Sequence, residues 1–152
     1  MKIITLWQPW ASLIALGLKQ FETRSWATAY RGPLAIHAAK RKMSRADIHA
    51  LLEAYKIARW HDEQQIRPED MPLGAIVAKC NLTDCLYMVD TRLADPRLSM
   101  GGRTCIETKS RLERAVGCWS HGRYAWKLDS IRQIEPIPFK GRQGLRDLPI
   151  AI

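Results

Sequence analysis

The stretch GAIVAKCNLTDCLYMV, Gly74 to Val89, constrains the fold more than any other segment, because it reads as one long strand or the arm of a hairpin. Three more segments carry strand signals. KIITLW (Lys2 to Trp7) is short and β-branched, and GPLAIHAA (Gly32 to Ala39) reads as a buried strand. GRYAWKLDSIRQIEPIPFKG (Gly122 to Gly141) reads as two strands with a bend near Asp129–Ser130. Helices fall between these strands without the regular βαβ rhythm of a parallel sheet. The expectation is an α+β chain: a small, mostly antiparallel β-barrel with helices packed around it.

The helices have local start and stop signals. PWASLIALG (Pro9 to Gly17) opens with proline and closes with glycine, and Trp10, Leu13, Ile14 and Gly17 share one face. SRADIHALLEAYKIARW (Ser44 to Trp60) is the clearest helix. Ser44 and Asp47 form a variant capping box, and Ile48, Leu51, Leu52 and Tyr55 make its apolar stripe. IETKSRLERAV (Ile106 to Val116) predicts a short helix. A polar loop is expected from His61 to Pro72 and another from Asp90 to Thr104, and the tail RQGLRDLPIAI reads as irregular.

Length and charge narrow the partners. A chain of 152 residues suits one domain. Twenty-four Lys and Arg against fifteen Asp and Glu give +9, which favours an anionic partner such as nucleic acid, a nucleotide or a phosphate. The basic run Lys40 to Lys42, with Arg31, is a candidate for phosphate contacts, and Arg97, Arg103, Arg111 and Arg114 add charge further on. No apolar run approaches the roughly 18 residues that span a membrane. Gln8–Pro9 splits the apolar N-terminal run and no cleavage site follows, so the reading is a reduced, cytoplasmic setting with free thiols at Cys80, Cys85, Cys105 and Cys118. Four residues separate Cys80 from Cys85, and CWSH (Cys118 to His121) stands alone, so the spacing argues against a metal site. In a continuous strand Cys80 and Cys85 face opposite sides. His37, inside an apolar strand, reads as a core residue.

GLKQFETRSW (Gly17 to Trp26) concentrates the chemistry. The helix before it delivers Lys19 just past its end. An extended continuation points Glu22 and Arg24 to one side, toward the space Lys19 reaches. One reading is a screened surface ion-pair cluster. The other is a reactive lysine: an amine of ordinary pKa near 10.4 is a poor nucleophile, and burial or a second cation such as Arg24 lowers that value while Glu22 offsets it.

The spacing Gly17-x-Lys19-x-x-Glu22-x-Arg24 resembles the G-x-K-x-x-E-x-R signature of the ASCH domain, a relative of the PUA fold. LWQPWASLIALG and RGPLAIHAAK on either side, and GRYAWKL and PIPFKGRQGL farther on, resemble the EOLA-like type of that family. The resemblance implies a single PUA-like domain over residues 1–152 with variable insertions near 41–72 and 90–109. It implies a cleft lined by the signature, and an amidohydrolase that cleaves the N4-acyl amide of acylated cytosine nucleosides, as in N4-acetylcytidine. In such enzymes the signature lysine is the central catalytic group. Carried over by position, this implies Lys19, helped by Glu22 and by a distant glutamate, Glu113 with Glu107 as its competitor. The small amidohydrolases place threonine where Glu22 stands, which bears on whether the mechanism transfers unchanged.

The chemistry asks for an attacking group, a holder for the oxyanion and a proton for the departing nitrogen. Lys19 suits the first; Arg24 or backbone N–H groups suit the second; Glu113 or Glu22 suits the third, with no metal or other cofactor required. Thr23, Trp26 and Tyr30 complete the candidate substrate contacts. Trp26 is the leading stacking wall among Trp7, Trp10, Trp26 and Trp119. The partner is then a modified pyrimidine nucleoside, free or within RNA. An RNA-binding PUA-like module is the alternative, and an interaction domain without catalysis is a third.

Overall fold

A computed structural model describes residues 1–90, 97–100, 103–106 and 110–152; side chains are not described at 62 and 89–109. In chain order the elements are β1 (Lys2–Leu6), α1 (Trp10–Ala15), β2 (Phe21–Arg24), β3 (Gly32–Ala38), α2 (Arg45–Ala58), β4 (Ala75–Asp90), β5 (Arg97–Met100), β6 (Arg103–Ile106), α3 (Arg111–Val116), β7 (Tyr124–Pro138) and β8 (Leu145–Asp147). Two short 3₁₀ turns, Asp62–Gln64 and Pro68–Asp70, occupy the polar loop after α2.

The strands form one curved mixed sheet in the order β2-β7-β4-β3-β1-β8. Among the described strands only β1 and β3 run parallel, with Ile4 opposite Ile36; the other described pairs are antiparallel. β2 and β8 stand at the two ends of this order, so the sheet is an open half-barrel with helices packed on it. One face and α1 enclose a core that includes Ile4, Leu6, Ile14, Leu34, Ile36 and the fully buried Trp126. Burying each such side chain contributes about 1.5–3 kcal/mol. Leu13 of α1 faces the other way, onto Leu51, Ala54 and Tyr55 of α2 and Val116 of α3. A smaller cluster on the opposite side of the sheet gathers Ile3, Ala35 and Ile76 beneath Phe139 and the C-terminal Leu148 and Ile152.

Several local expectations need correction. The 90–104 segment is not loop throughout: β5 and β6 form an antiparallel hairpin that continues from β4, with Tyr87 opposite Ser99. Polar composition hid a ribbon held by backbone pairing. The Gly122–Gly141 segment is one strand from Tyr124, and its bend is Ser130 in the left-handed region at φ 52°. The tail contains β8, which pairs with β1. Helix α3 starts at Arg111, where the Ser110 side chain accepts from the Glu113 N–H, rather than at Ile106. Ser44 and Asp47 do form a full capping box, but Leu52 lies on the flank of α2 and is 43% exposed. Cys80 and Cys85 both pack against the main core instead of facing apart. The register of β4 on β7 skips one residue between Leu82 and Asp84, and that bulge restores the parity.

Candidate functional site

Local sequence places Lys19. Gly17 ends α1 in the left-handed region at φ 73°. Its N–H donates to Ile14 O (2.8 Å) and the Leu18 N–H to Leu13 O (2.9 Å), a Schellman closure. The Lys19 N–H donates to the same Leu13 carbonyl at 3.0 Å, which turns the chain back under the helix. Lys19 is thereby only 1% exposed, and its Nζ donates to the Phe21 carbonyl. No described carboxylate lies within 4.0 Å of that amine.

A cleft of about 420 Å³ opens onto this lysine. Glu22 and Thr23 of β2 line it beside Lys19, Trp7 and Trp10 form an indole wall, and Cys118 and Arg123 line it next to Thr23. The walls are held by backbone contacts. Trp10 Nε1 donates to Val116 O (3.0 Å), the Cys118 N–H to Thr23 Oγ1 (3.0 Å), and Arg123 Nη2 to Thr23 O (3.0 Å). A second cavity of about 220 Å³ shares Trp7, Trp10 and Glu22 and adds Thr5 and Arg24. Glu22 and Arg24 do point to one side: Arg24 Nε lies 3.0 Å from Glu22 Oε1, and Arg24 Nη2 donates to Thr5 O (3.2 Å). The two form an ion pair beside the cleft, with Arg24 held by Glu22 and the Thr5 carbonyl.

Glu113 is brought to the same region from 93 residues away, but behind the strand rather than into the cleft. It is 6% exposed, and its Oε1 accepts from the Gln20 N–H and from the Phe21 N–H (3.2 Å). Its carboxylate fixes the peptide units next to Lys19, so it positions the lysine. Glu107 lies outside the described residues. Trp26 and Tyr30 line neither cavity. The Trp26 ring packs edge-on against Trp126 with centroids 4.6 Å apart, and the Tyr30 hydroxyl donates to Pro33 O (2.6 Å). The aromatic wall falls instead to Trp7 and Trp10, and the Arg41 guanidinium sits 4.1 Å over the Trp7 ring.

Reading the sequence missed Arg123. It immediately precedes the YAWKL strand, and nothing local signals that β2–β7 pairing brings it beside Thr23. Among the described residues, no group of three or more His, Cys, Asp or Glu side chains is placed to hold a metal ion. No helix among them is long and apolar enough to cross a membrane.

Comparison with known proteins agrees with this architecture. Residues 4–138 match the ASCH domain family. Human activating signal cointegrator 1 is 39% identical over 96 residues, covering 63% of this chain and 16% of that protein. The mouse activating signal cointegrator 1 is 37% identical over 130 residues, covering 84% of this chain and 22% of that protein. The chain thus spans less than a quarter of the length of either relative. It belongs to the ASCH domain family, and its open α+β half-barrel is of the PUA-like type.

Proposed function

We propose that the Lys19 cleft hydrolyses the N4-acyl amide of acylated cytosine nucleosides, releasing cytidine and a carboxylic acid. The observation that carries the reading is a desolvated lysine without a nearby described counter-ion, at the floor of a cleft it shares with Glu22 and two indoles. A water oxygen attacks the acyl carbon as its proton passes to the Lys19 amine. Negative charge then collects on the acyl oxygen, where Arg123 and the Thr23 hydroxyl are the nearby donors of the cleft. The C–N bond breaks as a proton passes from the Lys19 ammonium, or through Glu22, to the departing N4 amine. Glu113 serves by holding the Gln20 and Phe21 peptides. The lysine signature, shared with EOLA-like members, supports the same reading.

The test is spectroscopic: purified protein is mixed with N4-acetylcytidine and the shift of its ultraviolet band to that of cytidine is followed. Wild type is expected to turn over, and Lys19→Ala and Lys19→Arg to be inert while remaining folded, since a guanidinium does not give up its proton. An active Lys19→Arg variant sinks the lysine mechanism, and an inert wild type across a panel of N4-acyl cytidines sinks the hydrolase. A second reading, an RNA-binding PUA-like module, is favoured by the +9 charge. A gel shift at low salt tests it.

A further inference from the structure

Away from the Lys19 cleft, the connection between β7 and β8 crosses the outer face of the sheet. It is pinned from below. The Phe139 N–H donates to Gly74 O (2.9 Å), and the Phe139 carbonyl accepts from His37 Nε2 (2.9 Å). Two residues on, Gly141 lies so close to the His37 ring that a Cβ there would be 2.3 Å from it and 2.7 Å from Thr5 Oγ1. Only glycine lets the chain sit this deep. The residues flanking it, Lys140 and Arg142, are therefore held at the surface in fixed places.

Two cavities lie along this connection. One, of about 660 Å³, is walled by Lys40 and Lys140 over Thr5 and His37. The next, of about 450 Å³, shares Phe139 and Lys140 with it and adds Arg142 and Arg146. All four cations are exposed, and none has a described carboxylate within 4.0 Å. The carboxylate that borders the groove, Asp147, is held by Lys2 at 2.8 Å. At its other end the groove shares one lining residue, Thr5, with the small cavity beside the Lys19 cleft that contains Glu22, Trp7 and Trp10.

We infer that this groove binds the sugar–phosphate backbone of single-stranded RNA and leads one of its bases to the Lys19 cleft. A row of cations without counter-ions among the described residues, along a channel rather than around one point, suits a chain of phosphates. The small cavity that shares Thr5 with the groove is walled by the indoles of Trp7 and Trp10, which suit a base. The inference rests on the cleft reading only for where the strand ends, because the groove is defined without it.

Binding of a fluorescent single-stranded RNA dodecamer is measured by anisotropy over a salt series, so the result does not depend on turnover. Lys140→Ala/Arg142→Ala is compared with Lys56→Ala/Arg67→Ala, which removes the same charge from surfaces outside the groove. The groove pair is expected to weaken binding at least about tenfold at low salt and to flatten the log Kd against log salt slope by about 1.4, two phosphate contacts at 0.7 each. The control pair is expected to leave both nearly unchanged. Equal losses in the two pairs, or no binding by wild type at low salt, overturn the inference. Loss of hydrolysis in wild type with the groove effect intact would overturn only the catalytic reading.

Discussion

Glu113 offers the sharpest test of how the cleft is built. Its Oε1 accepts two backbone N–H groups, Gln20 and Phe21, in the peptides directly after Lys19. Glu113→Ala strips both donors of their partner. An unsatisfied buried donor costs about 1–3 kcal/mol, and the partial burial of the Gln20 bond keeps that one near the lower end. The total is about 3 kcal/mol, which at about 2–4 °C per kcal/mol for a chain of this size lowers Tm by about 6–12 °C. Glu113→Gln keeps an acceptor oxygen and loses only the charge, so it should lose about 1 kcal/mol, or about 2–4 °C. The assay is thermal unfolding of the three proteins in one buffer, with amide hydrogen exchange read at Gln20 and Phe21. Loss of protection at those two amides in Glu113→Ala is the specific signature. A Glu113→Ala protein that melts with wild type and keeps both amides protected would refute the positioning argument. So would a Glu113→Gln protein as unstable as the alanine variant, since charge rather than the acceptor would then be holding the strand.

Trp7→Ala should weaken nucleoside binding by calorimetry about 5- to 150-fold, the equivalent of about 1–3 kcal/mol of stacking, because the ring is 52% exposed at the cleft wall; Trp26→Ala should leave it unchanged. His37 is buried, and desolvation holds its imidazole below the ordinary value of 6.5. The unfolded chain therefore binds the extra proton first, so stability present above that value is lost as pH falls below it toward the lowered folded value. Urea unfolding at about pH 7.5 and about pH 5 should show the drop, and a folded His37→Gln protein should show less of it. Cys80 is pushed up to about 12 by burial, whereas Cys118 is exposed beside the cleft, so iodoacetamide at about pH 8 should label Cys118 and spare Cys80 by peptide mapping.

The parts of the fold legible in the chain are those bounded by neighbours in sequence. Pro9 and Gly17 bracket α1, Ser44 and Asp47 cap α2, and β1 and β3 follow their β-branched and apolar runs. The parts that escaped depend on partners. β8 is three residues of unremarkable composition, and pairing with β1 makes it a strand. The skip between Leu82 and Asp84 depends on how β4 lies on β7, yet it decides which way Cys85 faces. No window of sequence contains that information, because either parity satisfies the local alternation.

The same division runs through the site. Lys19, Glu22 and Arg24 were legible together, since a helix stop followed by four extended residues is a local event. The neighbouring strand's contribution was not. Arg123 reaches Thr23 because β2 pairs with β7 in the register that sets Arg24 opposite Tyr124 and Thr23 opposite Ala125. Slipping that register by one residue would turn Tyr124 toward the cleft and drive the Arg123 guanidinium toward the core that now holds Trp126, at the cost of burying a charge. Trp126, with no exposed surface in the main core, resists the slip. The cation that shares the cleft with Lys19 is thus placed by a tryptophan that does not line it.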